Sequence, residues 1–461
     1  MLEPTRRLIR LILTITLGFA TFLSPSVACG FDAVDESNDR QRNWPQWRGP
    51  LATGVAPHGD PPIVWSELKN VRWKKPLAGQ GHSSPIIWGD RIFLTSAERF
   101  GPRLKTPQPD IALGAHDNLL IDSRYRFYVV ALNRKTGNIE WKKQVAESLP
   151  HEGGHFTASL ASNSPVTDGK RVVACFGSRG LFCLDFAGKI LWQKKPGILL
   201  TKHGHGEGAS PVLHDGVVVL NRDHEGQSSI IAWDLATGAE LWKKDRDEVT
   251  SWSSPIVVEH NGTQQVIVAG SGYVRSYDLK TGRVFWRCGG LSANVCATPV
   301  AANGRVVVGS SYDTRAMFAI KLDGAKGDVT GSENVLWSRT QRTPYVPSPL
   351  LHDGKVYFLR HYQGILSRVD VKTGAEPVGP FRLGVLTDIY ASPVCAKDRM
   401  YFSDLNGMTI VVQHADTPKP LATNRLNDSF SASAAIVGDA IYLRGRKSLY
   451  CLAEDEPTAD Q

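Results

Sequence analysis

From residue 71 onward, short runs of β-branched, aliphatic and aromatic residues alternate with Asp-Gly, Asn-Gly and Thr-Gly doublets, and no stretch after residue 30 sustains a 3.6-residue apolar period. That pattern predicts many short strands and few helices, because Gly supplies the positive φ that a tight hairpin turn demands. Pro211 to Leu213, Val217 to Asn221, Ser229 to Trp233 and Ala239 to Lys243 read as four consecutive antiparallel strands. This unit repeats. Seven such runs open on a small residue and a proline, at Pro85, Pro165, Pro211, Pro255, Pro299, Pro349 and Pro393, and Ser431-Ala432-Ser433-Ala434 stands where an eighth would fall. The spacings are 80, 46, 44, 44, 50 and 44 residues, so all but the first lie near the length of a propeller blade.

A second signature follows the first four prolines: an aliphatic strand, a small-residue turn with Gly, and a short strand closed by Trp. The copies run from Leu132 to Trp141, Leu184 to Trp192, Trp233 to Trp242 and Tyr277 to Trp286; blade five keeps a looser one ending at Leu336-Trp337, and blade six keeps Asp370 to Gly374 without a Trp. The last period offers three strands, about Ala432 to Val437, Ala440 to Arg444 and Ser448 to Leu452, while an orphan strand, Val71 to Leu77 with Trp73, precedes the first. An unpaired edge strand is an aggregation hazard, so the orphan is expected to complete the last blade. The expected fold is therefore all-β: an eight-bladed β-propeller of four-stranded antiparallel blades, closed by an N-terminal strand pairing with the last blade.

With Thr-Gly-x-x-x-Trp as blade marker, the chain resembles the PQQ-like β-propeller repeat family, which includes quinoprotein alcohol dehydrogenases and BamB-type outer-membrane assembly lipoproteins. The resemblance covers about residues 44–453, and the opening run Trp44 to Pro50 (WPQWRGP) looks like the lead-in of exported members. Rival propeller repeats fit less well: Trp-Asp occurs once, at Trp233-Asp234, and Gly-Gly doublets fall outside the strands. Membership of the enzymatic branch implies pyrroloquinoline quinone with calcium in the channel, commonly beside a disulfide between adjacent cysteines and a catalytic Asp. This chain has no Cys-Cys pair, and its carboxylates do not match that ligand set one by one. If quinone were bound, Asp223, Glu225 and Asp313 would be the carboxylates available as calcium ligands or base.

Arg6, Arg7 and Arg10, an apolar run from Leu11 to Leu23 and the small residues Ser26-Val27-Ala28 read as a secretory signal over residues 1–28. The segments expected after it are a lead-in over 29–70, the propeller over 71–453 and an acidic tail over 454–461. Cleavage after Ala28 would expose Cys29, a lipidation candidate, although Ser26 stands where such sites usually carry Leu. The net charge is +8, and residues 1–28 hold three Arg and one Glu, which leaves about +6 scattered singly rather than in a stripe. That dispersion argues against a nucleic-acid footprint, which needs a clustered stripe. Cys175 and Cys183 lie symmetrically about Arg179, so they read either as a cross-strand disulfide or as two small buried hydrophobes.

In a propeller, the loops between blades and those between each blade's second and third strands emerge at the same end of the channel. Those loops supply the candidate ligand-binding face: His82, His155, His203, His205, Asp223, His224, Glu225, Trp252, Asp313, Arg315, His361 and Tyr362. The other end receives mostly plain Gly turns, and an insertion of about Glu98 to Arg124 should lie over the rich end as a rim or lid. His151-Glu152-Gly153-Gly154-His155 matches HExxH, but its Gly pair disfavours the helix that zinc binding requires. In an extended segment His203, His205 and Glu207 would point one way, as a candidate metal trio or as polar residues bonded to neighbouring loops.

The reading that follows is an exported, non-catalytic binding or scaffolding propeller of the periplasm or cell envelope. It is expected to be a monomer without cofactor, presenting a His- and aromatic-rich loop face to a protein, peptide or glycan. Contact with membrane is expected only through a lipid at Cys29. The alternative is a quinoprotein-type dehydrogenase with quinone and calcium, or a metal-dependent enzyme using the same face.

Overall fold

Eight sheets surround a central channel in the computed structural model, which describes residues 36–454. The signal over 1–28, the lipidation candidate Cys29 and nearly all of the acidic tail lie outside those residues. Blades 1 to 7 each contain four antiparallel strands in sequence order from the channel outward. In blade 3 these are Val212–His214, Val217–Arg222, Ser228–Asp234 and Glu240–Arg246. Val217–Arg222 is buried at every position, because neighbouring blades cover both of its faces, whereas Glu240–Arg246 is mostly exposed. The strand Val71–Pro76 completes blade 8, pairing from Val71 opposite Leu452 to Pro76 opposite Ser448. First and last segments are thus hydrogen-bonded to each other, and the ring has no free edge at its seam.

The blade marker acts between blades. Indole N–H groups of Trp73, Trp141, Trp192, Trp242 and Trp337 donate to the carbonyls of Arg134, Phe186, Leu235, Leu279 and Val371 of the next blade, at 2.8–3.1 Å. Each indole lies on that blade's turn glycine: a Cβ built on Gly137, Gly188, Gly238, Gly282 or Gly374 would come within 2.6–2.9 Å of the ring. Trp286 departs from the rule and bonds Gln265 of its own blade at 3.1 Å.

Nearer the axis, the small residue before each proline forms a second circuit. The amide N–H groups of Ser84, Ser164, Ser210, Ser254, Thr298, Ser348 and Ser392 donate in turn to the hydroxyls of Ser164, Ser210, Ser254, Thr298, Ser348, Ser392 and Ser433, at 2.9–3.1 Å. The eighth junction is made differently: buried Arg444 of blade 8 donates to the carbonyls of Ser83 and Thr95 in blade 1 at 3.1 and 2.7 Å. Residues 44–56 then cross the channel. Trp44 exchanges hydrogen bonds with Ile87 of blade 1, and Val55–Ala56 lies parallel to Cys395–Ala396 on the inner edge of blade 7. Between them, Arg48 donates to the carbonyls of Pro349 and Pro393, both at 2.7 Å.

The cysteine geometry corrects one expectation. Gly177–Arg179 forms a 3-10 turn that centres its hairpin on Ser178, so Cys175 pairs with Leu181 and Cys183 with Val173. Not being opposite each other, both thiols are free and buried, and burial pushes them up to about 12.

The Trp seats predict a contrast between two turn glycines of blade 3. Gly216 and Gly238 have φ of 70° and 71°, but only Gly238 faces an indole; nothing lies within 4 Å of a Cβ at Gly216. Gly216→Ala should cost about 1–2 kcal/mol of backbone strain, and Gly238→Ala about 1–3 kcal/mol more from overpacking. Equilibrium denaturation of the two variants checks the difference.

Candidate functional site

At the end of the channel where the inter-blade loops gather, the strands open into a cavity of about 430 Å³. Its floor is the inner hydroxyl circuit, with Ser84, Ser164, Ser210, Ser392 and Ser433 exposed to it and Trp47 rising from the segment that crosses the channel. Trp47 Nε1 reaches Ser433 Oγ at 3.4 Å. One wall is imidazole: His82, His116, His155 and His205. The other is aromatic: Trp252, Tyr312, Tyr345, Tyr362 and Tyr390, with Asn294 and Cys296 between. The lining residues include no carboxylate and no ammonium.

The four tyrosines of the aromatic wall are in ring contact, stacked at two junctions and edge-on at one. Tyr362 lies 4.7 Å from Tyr390 with planes 23° apart and 5.6 Å from Tyr345, and Tyr345 lies 6.2 Å from Tyr312. Burial raises the phenol pKa of Tyr345, Tyr362 and Tyr390, so all stay neutral at physiological pH. On the imidazole side, segment 153–155 donates backbone bonds to segment 203–205, His155 N to His205 O and Gly154 N to Gly204 O, both 3.1 Å. The blade 1 insertion folds onto them: Asn118 donates to His203 O at 2.7 Å, and the His116 ring stands 4.7 and 4.9 Å from His203 and His205. Burial, and then neighbouring positive groups, pull His205 and His82 down to about 4, and burial lowers His155. His82, His155 and His205 are therefore neutral at pH 7.

Of the residues singled out from sequence, the cavity brings together His82, His155, His205, Trp252 and Tyr362. His203 stands behind the rim, and His361, with φ 51°, buttresses Tyr345 at 5.1 Å. The carboxylates are elsewhere. Asp223 is fully buried against Arg246, accepting from its Nε at 2.6 Å and Nη2 at 3.0 Å, while Arg246 also donates to Tyr277 at 2.6 Å. The His224 ring accepts the Leu200 and Gly226 amides, and Glu225 accepts the Thr250 hydroxyl at 2.6 Å. Asp313 and Arg315 are exposed at the tip of a blade 5 loop, where Asp313 accepts the Ala293 and Thr314 amides.

The trio His203, His205 and Glu207 does not converge, because Lys202–Gly204 is a 3-10 turn with His203 at φ 57° rather than an extended segment. Glu207 points away and binds the Ser178 amide, the Ser178 hydroxyl and Arg179. HExxH is likewise divided. His151 bonds Leu199 O at 2.7 Å, and buried Glu152, raised by burial to about 7, accepts from the amide and hydroxyl of Thr201. Sequence reasoning missed Trp47, His116, Cys296 and the hydroxyl floor; the small residue before each proline was the available signal for the floor.

Comparison with known proteins places this architecture. A family model described as outer membrane protein assembly factor BamB matches residues 125–377 and again 227–456. The chain belongs to that family. It is similar to the tetrathionate hydrolase of Acidithiobacillus ferrooxidans, 28% identical over 39% of this chain and 36% of the hydrolase. It is also 28% identical to subunit 1 of the methanol dehydrogenase (cytochrome c) of Methylorubrum extorquens, over 29% of this chain and 23% of that protein. The chain therefore spans about a third or less of these relatives' length. The quinohemoprotein alcohol dehydrogenase of Comamonas testosteroni superposes with a TM-score of 0.62 at 12% identity, covering 92% of this chain and 82% of that one, which shows a shared fold.

The quinone and calcium that the family resemblance implies set a demand on the cavity of this BamB-family propeller. Calcium takes six to eight oxygen ligands, carboxylates chief among them. The cavity offers hydroxyls and the Asn294 amide, while Asp223, Glu152, Glu207 and Glu225 are turned outward and held by loop amides, hydroxyls or arginines. The residues present do not fit that cation.

Asp223 and Asp313, both drawn from sequence as ligand candidates, should therefore behave oppositely. Asp223→Ala leaves Arg246 buried and unpaired and should cost about 3–5 kcal/mol, whereas Asp313→Ala on an exposed tip should cost under about 0.5 kcal/mol. Thermal and urea denaturation of both variants measures this directly.

Proposed function

We propose that this protein is an exported, non-catalytic binding or scaffolding propeller of the cell envelope that takes an uncharged, partly planar segment of a glycan or of a protein or peptide partner into its channel mouth. The carrying observation is the lining: six aromatic side chains and four imidazoles over a hydroxyl floor, without a carboxylate or ammonium. Aromatic faces bind the apolar faces of sugars and planar amides, while hydroxyls and neutral imidazoles supply both donors and acceptors. The tyrosine rings hold one another in place, so little ordering is needed on binding. The family model's description as an assembly factor of the outer membrane, together with the secretory reading of residues 1–28, supports an envelope setting.

A quinoprotein dehydrogenase is the competing reading, favoured by the matched dehydrogenases. The cavity's donor set speaks against it. Catalysis by the imidazole wall alone has no carboxylate partner in the cavity to orient a base.

The test is binding of neutral oligosaccharides and of uncharged peptides by wild type, Tyr362→Ala and His205→Ala, read by calorimetry beside melting temperature. The expected outcome is tenfold or greater loss of affinity in Tyr362→Ala, a smaller loss in His205→Ala, and melting temperatures close to wild type. Equal binding by all three removes the channel mouth as the site. Stoichiometric uptake of pyrroloquinoline quinone with calcium, followed by absorbance, would replace this reading with the dehydrogenase one.

A further inference from the structure

The end of the ring opposite the channel mouth carries a side-chain set that turn chemistry does not explain. His352 closes the first strand of blade 6, Asp353 follows in the turn to the second, and His414 follows the third strand of blade 7, Met408–Gln413. One donor atom from each lies within 4.8 Å of the other two. His352 Nε2 is 3.6 Å and His414 Nδ1 3.9 Å from Asp353 Oδ2, with the imidazole centroids 4.4 Å apart. A tetrahedral metal with bonds of about 2.0–2.1 Å holds its donors roughly 3.3–3.4 Å apart. The three groups therefore need move only modestly to share one ion, and the Lys397 carbonyl, 3.1 Å from His352 Nε2, lies beside the same atoms.

Register gives His414 its setting. Arg134, Phe186, Leu235, Leu279 and Val371 hold the corresponding place after the third strands of blades 1, 2, 3, 4 and 6, and the carbonyl of each accepts an indole N–H from the preceding blade. Blade 6 carries no Trp after Gly374, and in blade 7 an imidazole occupies that place. Nε2 of His414 is buried without a partner, and the nearest carboxylate oxygen to Nδ1 is the 3.9 Å one of Asp353. The same junction thus lacks its latch and gains two imidazoles and a carboxylate, one of them contributed across the blade boundary.

We propose that His352, Asp353 and His414 form a site for a zinc-class divalent metal that staples blade 6 to blade 7 where the tryptophan latch is missing. Two imidazoles and one carboxylate suit zinc and its borderline neighbours, with the remaining positions left to water or the Lys397 carbonyl. Its role is structural and independent of the channel mouth.

Chelator-treated full-length protein should take up one equivalent of Zn2+, show the visible absorption of tetrahedral cobalt when Co2+ is substituted, and melt about 2–4 °C higher in excess Zn2+. His414→Leu, which restores the aliphatic residue of blades 3 and 4, should fold at least as stably without metal yet lose the cobalt signal and the Zn2+ shift. His352→Asn should lose both without altering the interior seat. His205→Ala, at the other end of the channel, should keep both. No uptake by wild type, or unchanged uptake and shift in His414→Leu and His352→Asn, would overturn the site; loss confined to His205→Ala would move the metal to the channel mouth.

Discussion

Seven amide-to-hydroxyl bonds around the channel set the geometry on which the rest of this molecule depends. A residue before proline is held in the extended region, and the proline itself offers no N–H. The preceding residue's amide is thus free to point sideways, and in each of seven blades it meets the hydroxyl of the corresponding Ser or Thr one blade on. Each bond contributes only about 0.5–1.5 kcal/mol. Their effect is chiefly positional: repeating one short distance fixes the radius of the innermost strands and the width of the cavity above them.

Indole latches do the same at larger radius, where blades splay apart and the wedge must be filled. Glycine is required opposite each indole for space as well as for turn geometry, since the ring occupies the volume of a Cβ. Closure then concentrates on two segments outside the repeat. Val71–Pro76 removes the seam, and residues 44–56 span the channel, with Arg48 capping two carbonyls that the circuit leaves over. The scaffold thereby leaves at the mouth a surface of rings and hydroxyls without a carboxylate or ammonium. Loop carboxylates are spent in the same way, Glu207 on Ser178 and Glu225 on Thr250, which is why a face rich in acids by sequence presents none to the cavity.

The fold was legible because its physics is local and repeated: hairpin turns, the proline period and the Thr-Gly-x-x-x-Trp marker each recur often enough to be read from one chain. Blade number and the closing strand followed from counting strands. The site was legible only in outline. Loop membership named His82, His155, His205, Trp252 and Tyr362, which line the mouth, but could not tell a carboxylate facing the channel from one clamping an arginine or a neighbouring amide, as with Asp223 and Glu207. Alternation failed at His203 because Lys202–Gly204 turns tightly there, with His203 at φ 57° and Gly204 after it. Trp47 reaches the floor from a segment with no repeat signature. His352 and His414 meet across a blade boundary, a proximity that only the register of two blades reveals.

Native-state hydrogen exchange at the amides of Ser84, Ser164, Ser210, Ser254, Thr298, Ser348 and Ser392 tests most directly whether the inner circuit acts as one constraint. All seven should exchange only through global opening, with one common protection free energy, and Ser254→Ala should release the Ser210 amide whose acceptor it removes. Fast or blade-by-blade exchange at these amides in the wild type, or an unchanged Ser210 amide in the variant, would contradict the account.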